Sequence, residues 1–156
     1  MKTKCMLCVG LLVVSLMMGC STNPMIAIYD NEQKIASDTN SYNLDEVEQT
    51  LENGHFVASA EKMEGMDTIW TFESEDEKSV DITYSINVTS GKLKMVLINS
   101  NGEVHVISEC DYEMDEPIQE ILDVGKGNNR IKIVAGKNTK FDIDISIPEG
   151  EFKELG

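Results

Sequence analysis

The sequence predicts a mostly β protein, an antiparallel β-sandwich of about eight strands with one short N-terminal helix. From His55 onward, apolar and polar residues alternate with a period of two, the pattern of strands that bury one face. Closely spaced Gly and Asn turn signals separate these runs. No helical runs alternate with these strands, so the pattern does not predict the βαβ units of a parallel sheet.

The first 19 residues have the three parts of a secretory signal peptide. Lys2 and Lys4 are the only charges of a short basic start, and the run Met6–Met18 is uncharged and mostly apolar. Gly19 is a small residue at the expected cleavage position, directly before Cys20. A transmembrane helix needs about 20 apolar residues, and this run is too short.

The residues around the cleavage position also predict that the protein carries a lipid. Leu16-Met17-Met18-Gly19-Cys20 resembles the lipobox of bacterial lipoproteins, in which the cysteine sulfur receives a diacylglycerol. The resemblance implies lipidation of Cys20 and an extracytoplasmic location on a bacterial cell membrane or envelope. Plain secretion and an uncleaved anchor are the alternatives.

Three segments follow from these patterns. Residues 1–19 are the predicted signal peptide, residues 20–42 a lipidated N-terminus and tether, and residues 43–156 the β-sandwich with its leading helix. Within the tether, the apolar patch Met25–Tyr29 forms either an edge strand or a segment that packs across the domain.

The one predicted helix spans Leu44–Asn53. Leu44, Val47 and Leu51 lie at i, i+3 and i+7 and therefore share one helical face. The dipeptide Asn53-Gly54 supplies a stop signal.

The predicted strands are runs in which every second residue is apolar and faces the core. The apolar positions are Trp70 and Phe72; Ile82, Tyr84, Ile86 and Val88; Leu93, Met95 and Leu97; Val104 and Val106; Ile131, Ile133 and Ala135; and Phe141, Ile143, Ile145 and Ile147.

Two hairpins are predicted between these strands. The Asn101-Gly102 signal favours a two-residue type I′ turn that places Leu97 opposite Val106.

The second hairpin turns at Gly136-Lys137-Asn138. It sets Ile133 beside Ile143 and places the opposite charges of Lys132 and Asp144 across from each other on the outer face.

Residues 55–148 also resemble small secreted bacterial domains of jelly-roll type. The resemblance lies in the run Gly91–Leu97, the Asn101-Gly102 turn, and the runs Gly127–Val134 and Phe141–Ile143. It implies a jelly-roll-like sandwich, and some sandwiches of this kind bind carbohydrate. The resemblance holds no functional motif, so it bears on fold and not on activity.

The charge of the chain excludes several partners. Without residues 1–19 the chain has 11 basic and 28 acidic residues, a net charge of −17. Such a surface repels nucleic acid and anionic lipid headgroups, so acyl chains and not a basic patch would hold the protein at a membrane. The acidity serves solubility or the capture of a cation or basic ligand.

The cysteines give no disulfide. Cys5 and Cys8 leave with the signal peptide and Cys20 receives the lipid, so Cys110 is the one remaining thiol. We interpret Cys110 as structural, and the fold must rest on its hydrophobic core.

Candidate chemistry is sparse. The two histidines, His55 and His105, lack the flanking nucleophile and carboxylate of a triad. We therefore expect no enzyme and no cofactor. The best metal candidate is calcium, held by Asp111, Glu113 and Asp115 in a predicted loop, because alternate acidic residues direct oxygens at one hard cation. Clustered acids are more often merely solvated.

The aromatic residues give two candidate ligand contacts, Trp70 and Tyr112. Flat rings stack on the faces of sugars, and Tyr112 lies in an irregular segment where exposure is expected. Trp70 shares a strand face with Phe72, and this face suits the core equally well.

These observations favour a membrane-anchored, non-catalytic binding or interaction module of the envelope, with a protein or glycan as its partner and no nucleic acid. A carbohydrate-binding module is the first alternative, and a small enzyme or inhibitor is the second.

Overall fold

The structure, a computed structural model, describes residues 23–156. The predicted signal peptide, the Gly19–Cys20 cleavage site and the lipidation site therefore lie outside the described residues. The described chain contains a 3₁₀ turn at Ile26–Ile28, helix α1 at Glu32–Ile35, and strands β1 (Ser41–Glu52), β2 (His55–Ser74), β3 (Lys78–Ser90), β4 (Leu93–Ile98), β5 (Val104–Cys110), β6 (Ile118–Val124), β7 (Gly127–Ser146) and β8 (Glu151–Phe152). Among residues 23–156, no helix has the length and apolar character needed to cross a membrane.

Two 20-residue strands, β2 and β7, pair antiparallel along their length. Register shifts between Ala60 and Gly65 bend this pair in the middle. Gly65 makes the bend possible: its φ is 99°, and a Cβ there would lie 2.1 Å from the carbonyl oxygen of Ser41. Each half of the pair therefore belongs to a different sheet.

The two sheets form the predicted sandwich. We call one the front sheet: its order is β1, the first half of β2, the second half of β7, β3 and β6. The back sheet has the order β8, the second half of β2, the first half of β7, β4 and β5. All pairings are antiparallel, which confirms the predicted fold class.

One core fills the space between the sheets. Its largest side chains are fully buried and come from both sheets: Phe56, Tyr84, Ile86, Phe141 and Ile143 from the front, and Trp70, Leu93, Met95, Ile131 and Ile133 from the back. The period-two pattern of the sequence therefore identified the inward residues correctly on these strands.

A second, smaller core lies on the outer face of the back sheet. Residues 23–40, which we call the strap, cross this face and bury Ile28, Tyr29 and Ile35 against it. The apolar side chains beneath them are Met66, Val96, Ile98 and Val134. Of the two placements predicted for the Met25–Tyr29 patch within the tether, the structure shows the second, packing across the domain.

A buried lysine holds the strap to the sheet. Lys132 is fully buried, and its Nζ donates to the carbonyl oxygens of Ser37 at 2.7 Å and Thr39 at 2.8 Å. Burial, and then repulsion from Arg130, lowers the pKa of Lys132 to about 8. The two carbonyl oxygens replace part of the water that would hydrate the ammonium group, so burial of Lys132 beneath the strap is tolerated.

The helix predicted over Leu44–Asn53 is wrong, because these residues belong to β1, which pairs with β2 from Ser41 to Glu52. Glu46 has a φ of 47° and breaks the strand alternation by one residue. The apolar residues on either side of this kink therefore reach the same face at spacings that imitate a helix, and all three pack partly buried against the core: Leu44, Val47 and Leu51.

The predicted hairpin at Gly136-Lys137-Asn138 is also wrong. These residues are a bend within β7, where Asn138 has a φ of 48°. Ile133 pairs with Asp67 and Met95, whereas Ile143 pairs with Ala58 and Ile86.

Lys132 consequently does not face Asp144. Lys132 pairs with Thr68 and Val96 under the strap, and Asp144 lies on the front sheet, paired with Val57 and Ser85.

The Asn101-Gly102 turn is one residue longer than predicted. Asn99 pairs with Glu103 through a 3.2 Å backbone hydrogen bond, and Leu97 then faces His105 instead of Val106. The Asn99 side chain accepts from the backbone N–H groups of Asn101 at 3.0 Å and Glu103 at 3.1 Å, which draws Asn99 into the turn.

The register of β7 gives a stability prediction. Ile143→Ala removes a fully buried side chain and should lower the free energy of unfolding by about 2–5 kcal/mol. Asp142→Ala, one residue earlier and exposed, should change it by less than about 0.5 kcal/mol. Urea denaturation measures both, and equal losses would contradict the register.

The buried lysine gives a pH prediction. Above about pH 8 the unfolded chain still binds a proton at Lys132 that the folded chain has released, so folding should gain stability as pH rises, by at most about 1.4 kcal/mol per unit. Lys132→Met should flatten this slope between about pH 8 and pH 9.5, whereas Lys34→Met, at an exposed strap position, should not. Parallel curves for wild type and Lys132→Met would contradict the assignment.

Candidate functional site

Within residues 23–156, no segment covers the outer face of the front sheet. Most of its outward side chains are polar: Ser59 and Glu61 on β2, Asp142 and Asp144 on β7, and Thr83, Ser85 and Asn87 on β3. Val57 and Ile121 are exposed apolar residues among them. We call this surface the front face. A shallow depression of about 600 Å³ lies along it between β1, β2 and β7.

The front face is acidic and contains one ion pair and one histidine–carboxylate hydrogen bond. Lys140 Nζ lies 2.6 Å from a carboxylate oxygen of Glu61, and His55 Nε2 lies 2.8 Å from Asp144 Oδ1. Asp142 is exposed between them. Such a face offers hydrogen-bond acceptors and negative charge to a large partner, without a deep cleft.

Trp70 has no exposed face for a ligand. The side chain is fully buried in the core, and its Nε1 donates to the carbonyl oxygen of Glu149 at 2.8 Å. Gly150 covers the ring so closely that a Cβ there would lie 2.6 Å from it. The candidate role of Trp70 in ligand stacking is therefore wrong, and the core position that its spacing with Phe72 also allowed is correct.

Tyr112 is exposed, at 57 % of its full surface. It lies in the loop between β5 and β6, and its carbonyl oxygen accepts from Val88 N–H at 3.1 Å. Within residues 23–156, every other Phe, Trp and Tyr side chain is buried or half-buried. A single ring on a loop is not the row of rings that stacks along a sugar chain.

The acidic loop does not form a metal site in the described residues. Asp111, Glu113 and Asp115 are exposed, and no group of three or more His, Cys, Asp or Glu side chains within residues 23–156 is arranged to hold a metal ion. The loop is ordered by Asn87, whose Oδ1 accepts from Met114 N–H at 2.9 Å. The calcium candidate at these three residues therefore has no converging set of ligands within residues 23–156.

The remaining candidates for chemistry are dispersed. His105 is exposed on β5, and Cys110 is buried with its sulfur 3.3 Å from Ser108 Oγ. His55 pairs with Asp144 on the front face. No nucleophile, base and orienting group come together among these residues.

Sequence analysis missed a polar pocket at the end of the strap. This strap pocket, of about 550 Å³, lies where the strap, the back sheet and the C-terminal tail meet. Its lining includes Asn40 on the strap, Thr71 on β2, Asn128 and Arg130 on β7, and Lys153 on the tail. Two of its lining residues, Thr71 and Arg130, are paired across β2 and β7. This pairing could have indicated the pocket, but it cannot be predicted without the register of the two strands.

Comparisons with known proteins show limited similarity. No family model and no curated protein matches the chain. Among solved structures, a variant of the family 29 carbohydrate-binding module CBM29-2 is 17 % identical over 71 % of this chain and 76 % of its own, with a TM-score of 0.38. A variant of CBM29-2 complexed with mannohexaose is 17 % identical over 71 % of this chain and 81 % of its own, with a TM-score of 0.39.

The protein PirA is similar at the same level. It is 14 % identical over 67 % of this chain and 95 % of its own, with a TM-score of 0.39. At these TM-scores the similarities carry no argument about ligand or activity. The fold rests on the strand pairing of this chain.

The acidic loop gives a calcium prediction. A true site would stabilise the fold by mass action, about 2.7 kcal/mol at a hundredfold excess over Kd, whereas solvated acids gain only the screening that sodium also supplies. Millimolar calcium should therefore shift the melting temperature no more than sodium chloride of equal ionic strength. A shift of several degrees that Asp111→Asn with Asp115→Asn abolishes would contradict this result.

Proposed function

We propose that the protein is a lipid-anchored, non-catalytic binding module of a bacterial cell envelope. The observation that carries this proposal is that the outer faces of the two sheets differ in their covering. The strap covers the outer face of the back sheet, whereas the front face is uncovered within residues 23–156, mostly polar and acidic.

The front face suits a protein partner with basic groups. Its carboxylates, including Glu61, Asp142 and Asp144, outnumber its cations, and the face carries no exposed aromatic ring. Complementary charge would guide association and set the orientation of the partner. The dispersed histidines and thiol support a role without catalysis.

The position of the strap supports close contact with the membrane. Two residues separate Cys20 from Asn23, so an extended chain places their Cα atoms no more than about 11 Å apart. Asn23 Nδ2 in turn donates to the Glu64 carboxylate, which anchors the strap at the bend of β2. A lipid on Cys20 would therefore hold the domain at the membrane surface with little free chain between them.

Several hydrogen bonds to Glu64 stabilise the attachment of the strap to β2. The carboxylate is buried and also accepts from the backbone N–H of Asn138 at 3.1 Å and from Asn43 Nδ2 at 3.3 Å. Burial alone would raise the pKa of Glu64, but the donated hydrogen bonds outweigh it and lower the pKa below its usual value. The charged form therefore holds β1, β7 and the strap together at neutral pH.

Carbohydrate binding is the second candidate function. The strap pocket favours it, because hydroxyl, amide and cationic side chains converge there in a volume that suits a small polar ligand. The front face favours it less, because its depression is shallow and is lined mainly by carboxylates such as Glu61 and Asp142.

The anchor gives a localisation prediction. Cys20→Ala removes the sulfur that would receive the lipid, and two acyl chains contribute roughly 0.8 kcal/mol per buried methylene. The variant should therefore move from the membrane to a soluble or unprocessed fraction. Membrane fractionation with an unchanged mature mass would contradict lipidation.

The front face gives a binding prediction. Residues 21–156 with Asp142→Lys and Asp144→Lys should bind isolated cell envelopes at least tenfold more weakly than the wild-type residues 21–156. Glu75→Lys with Glu77→Lys, an equal charge change on the exposed loop between β2 and β3, should bind as the wild type does. Melting curves check that both variants fold, and equal affinities for the two variants would contradict a role for the front face.

A further inference from the structure

The strap pocket concentrates positive charge in a protein that has little of it. Arg130 and Lys153 both line the pocket, and Lys132 lies beside Arg130 on β7, where the guanidinium lowers the pKa of the ammonium group. The lining thus holds two cations, Arg130 and Lys153, against the single carboxylate of Asp38, with a third cation beside Arg130, so its potential favours an anion.

The Arg130 guanidinium has hydrogen-bond donors that the protein does not fully satisfy. Its Nη2 donates to the carbonyl oxygen of Ala36, and its Nη1 lies 3.0 Å from Asp38 Oδ1. The Nε–H is buried and has no hydrogen-bond acceptor within residues 23–156. The described residues therefore leave the guanidinium incompletely satisfied.

Asp38 occupies the position of a replaceable anion. Its side chain is 94 % exposed, whereas that of Arg130 is 14 % exposed. An ion pair with one partner in full contact with water contributes little. A ligand carboxylate that arrives with its own hydrogen-bonding groups could therefore compete with Asp38 for the guanidinium.

Neutral polar groups line the rest of the pocket. The hydroxyl groups of Thr68 and Thr71 and the amide of Asn128 supply both donors and acceptors. No aromatic ring from residues 23–156 lines the pocket, so the described lining offers no platform for a nucleobase. Hydroxyl-bearing ligands match this lining because their groups also donate and accept.

We infer that the strap pocket binds an acidic saccharide, with its carboxylate held by Arg130 and Lys153 and its hydroxyl groups by the threonine and asparagine side chains. This inference rests on carbohydrate binding, the second candidate function, and it is independent of the front face.

The test uses isothermal titration calorimetry of residues 21–156 with a galacturonic acid trisaccharide. Maltotriose serves as a neutral trisaccharide probe, and sodium sulfate serves as an anion without a sugar. The acidic trisaccharide should bind at least tenfold more tightly than either of the others.

Variants locate the binding. Lys153→Gln and Arg130→Gln should each weaken binding of the acidic trisaccharide about tenfold, whereas Lys137→Gln, an equal charge change at the exposed bend of β7, should not. Because Arg130 also holds the strap, Lys153→Gln on the exposed tail keeps the test valid if Arg130→Gln fails to fold.

Three results would overturn the inference. Sulfate binding as tight as that of the acidic trisaccharide would indicate an anion site without sugar recognition. Equal binding of maltotriose would leave carbohydrate binding standing but exclude the acidic class. Absence of binding by all three probes would exclude the pocket as this site, while the front-face measurement on cell envelopes would remain unaffected.

Discussion

The continuous pairing of β2 with β7 is the constraint on which the rest of the structure depends. Each strand runs for 20 residues and contributes one half to each sheet. The bend near Gly65 on β2 and Gly136 on β7 sets how the two sheets face each other. Because the same two chains form the centre of both sheets, the core between them closes without any disulfide in the described residues.

This arrangement leaves the back sheet with an apolar outer face that must be covered. Val96, Ile98 and Val134 would contact water if the strap were absent, and the strap buries them at the cost of placing Lys132 beneath it. The strap then reaches Arg130 and forms one wall of the strap pocket. Within residues 23–156 the front face has no cover, and its outward residues are mostly polar, with Val57 and Ile121 as apolar exceptions.

The alternation of residues predicted the sandwich and the inward side chains, including Ile143, because burial of one strand face is a local property of the sequence. It did not distinguish a turn from a bend at residues 136–138, because glycine and asparagine are typical of both and the positive φ of Asn138 fits either one. The kink at Glu46 gave a strand the spacing of a helix. Trp70 could be assigned only with its neighbours in place, and the strap pocket joins Arg130 to segments distant in sequence, which no local pattern records.

Cysteine cross-linking tests the pairing of β2 with β7 on both sides of the bend. Ser59 faces Asp142 and Glu73 faces Asn128 across the two strands. Double cysteine replacement at either pair should give a disulfide on mild oxidation, whereas replacement of Lys132 and Asp144 should not, because these residues lie in different sheets. Cross-linking of positions 132 and 144 without the other two would show a hairpin in place of the shared strands and would contradict the account.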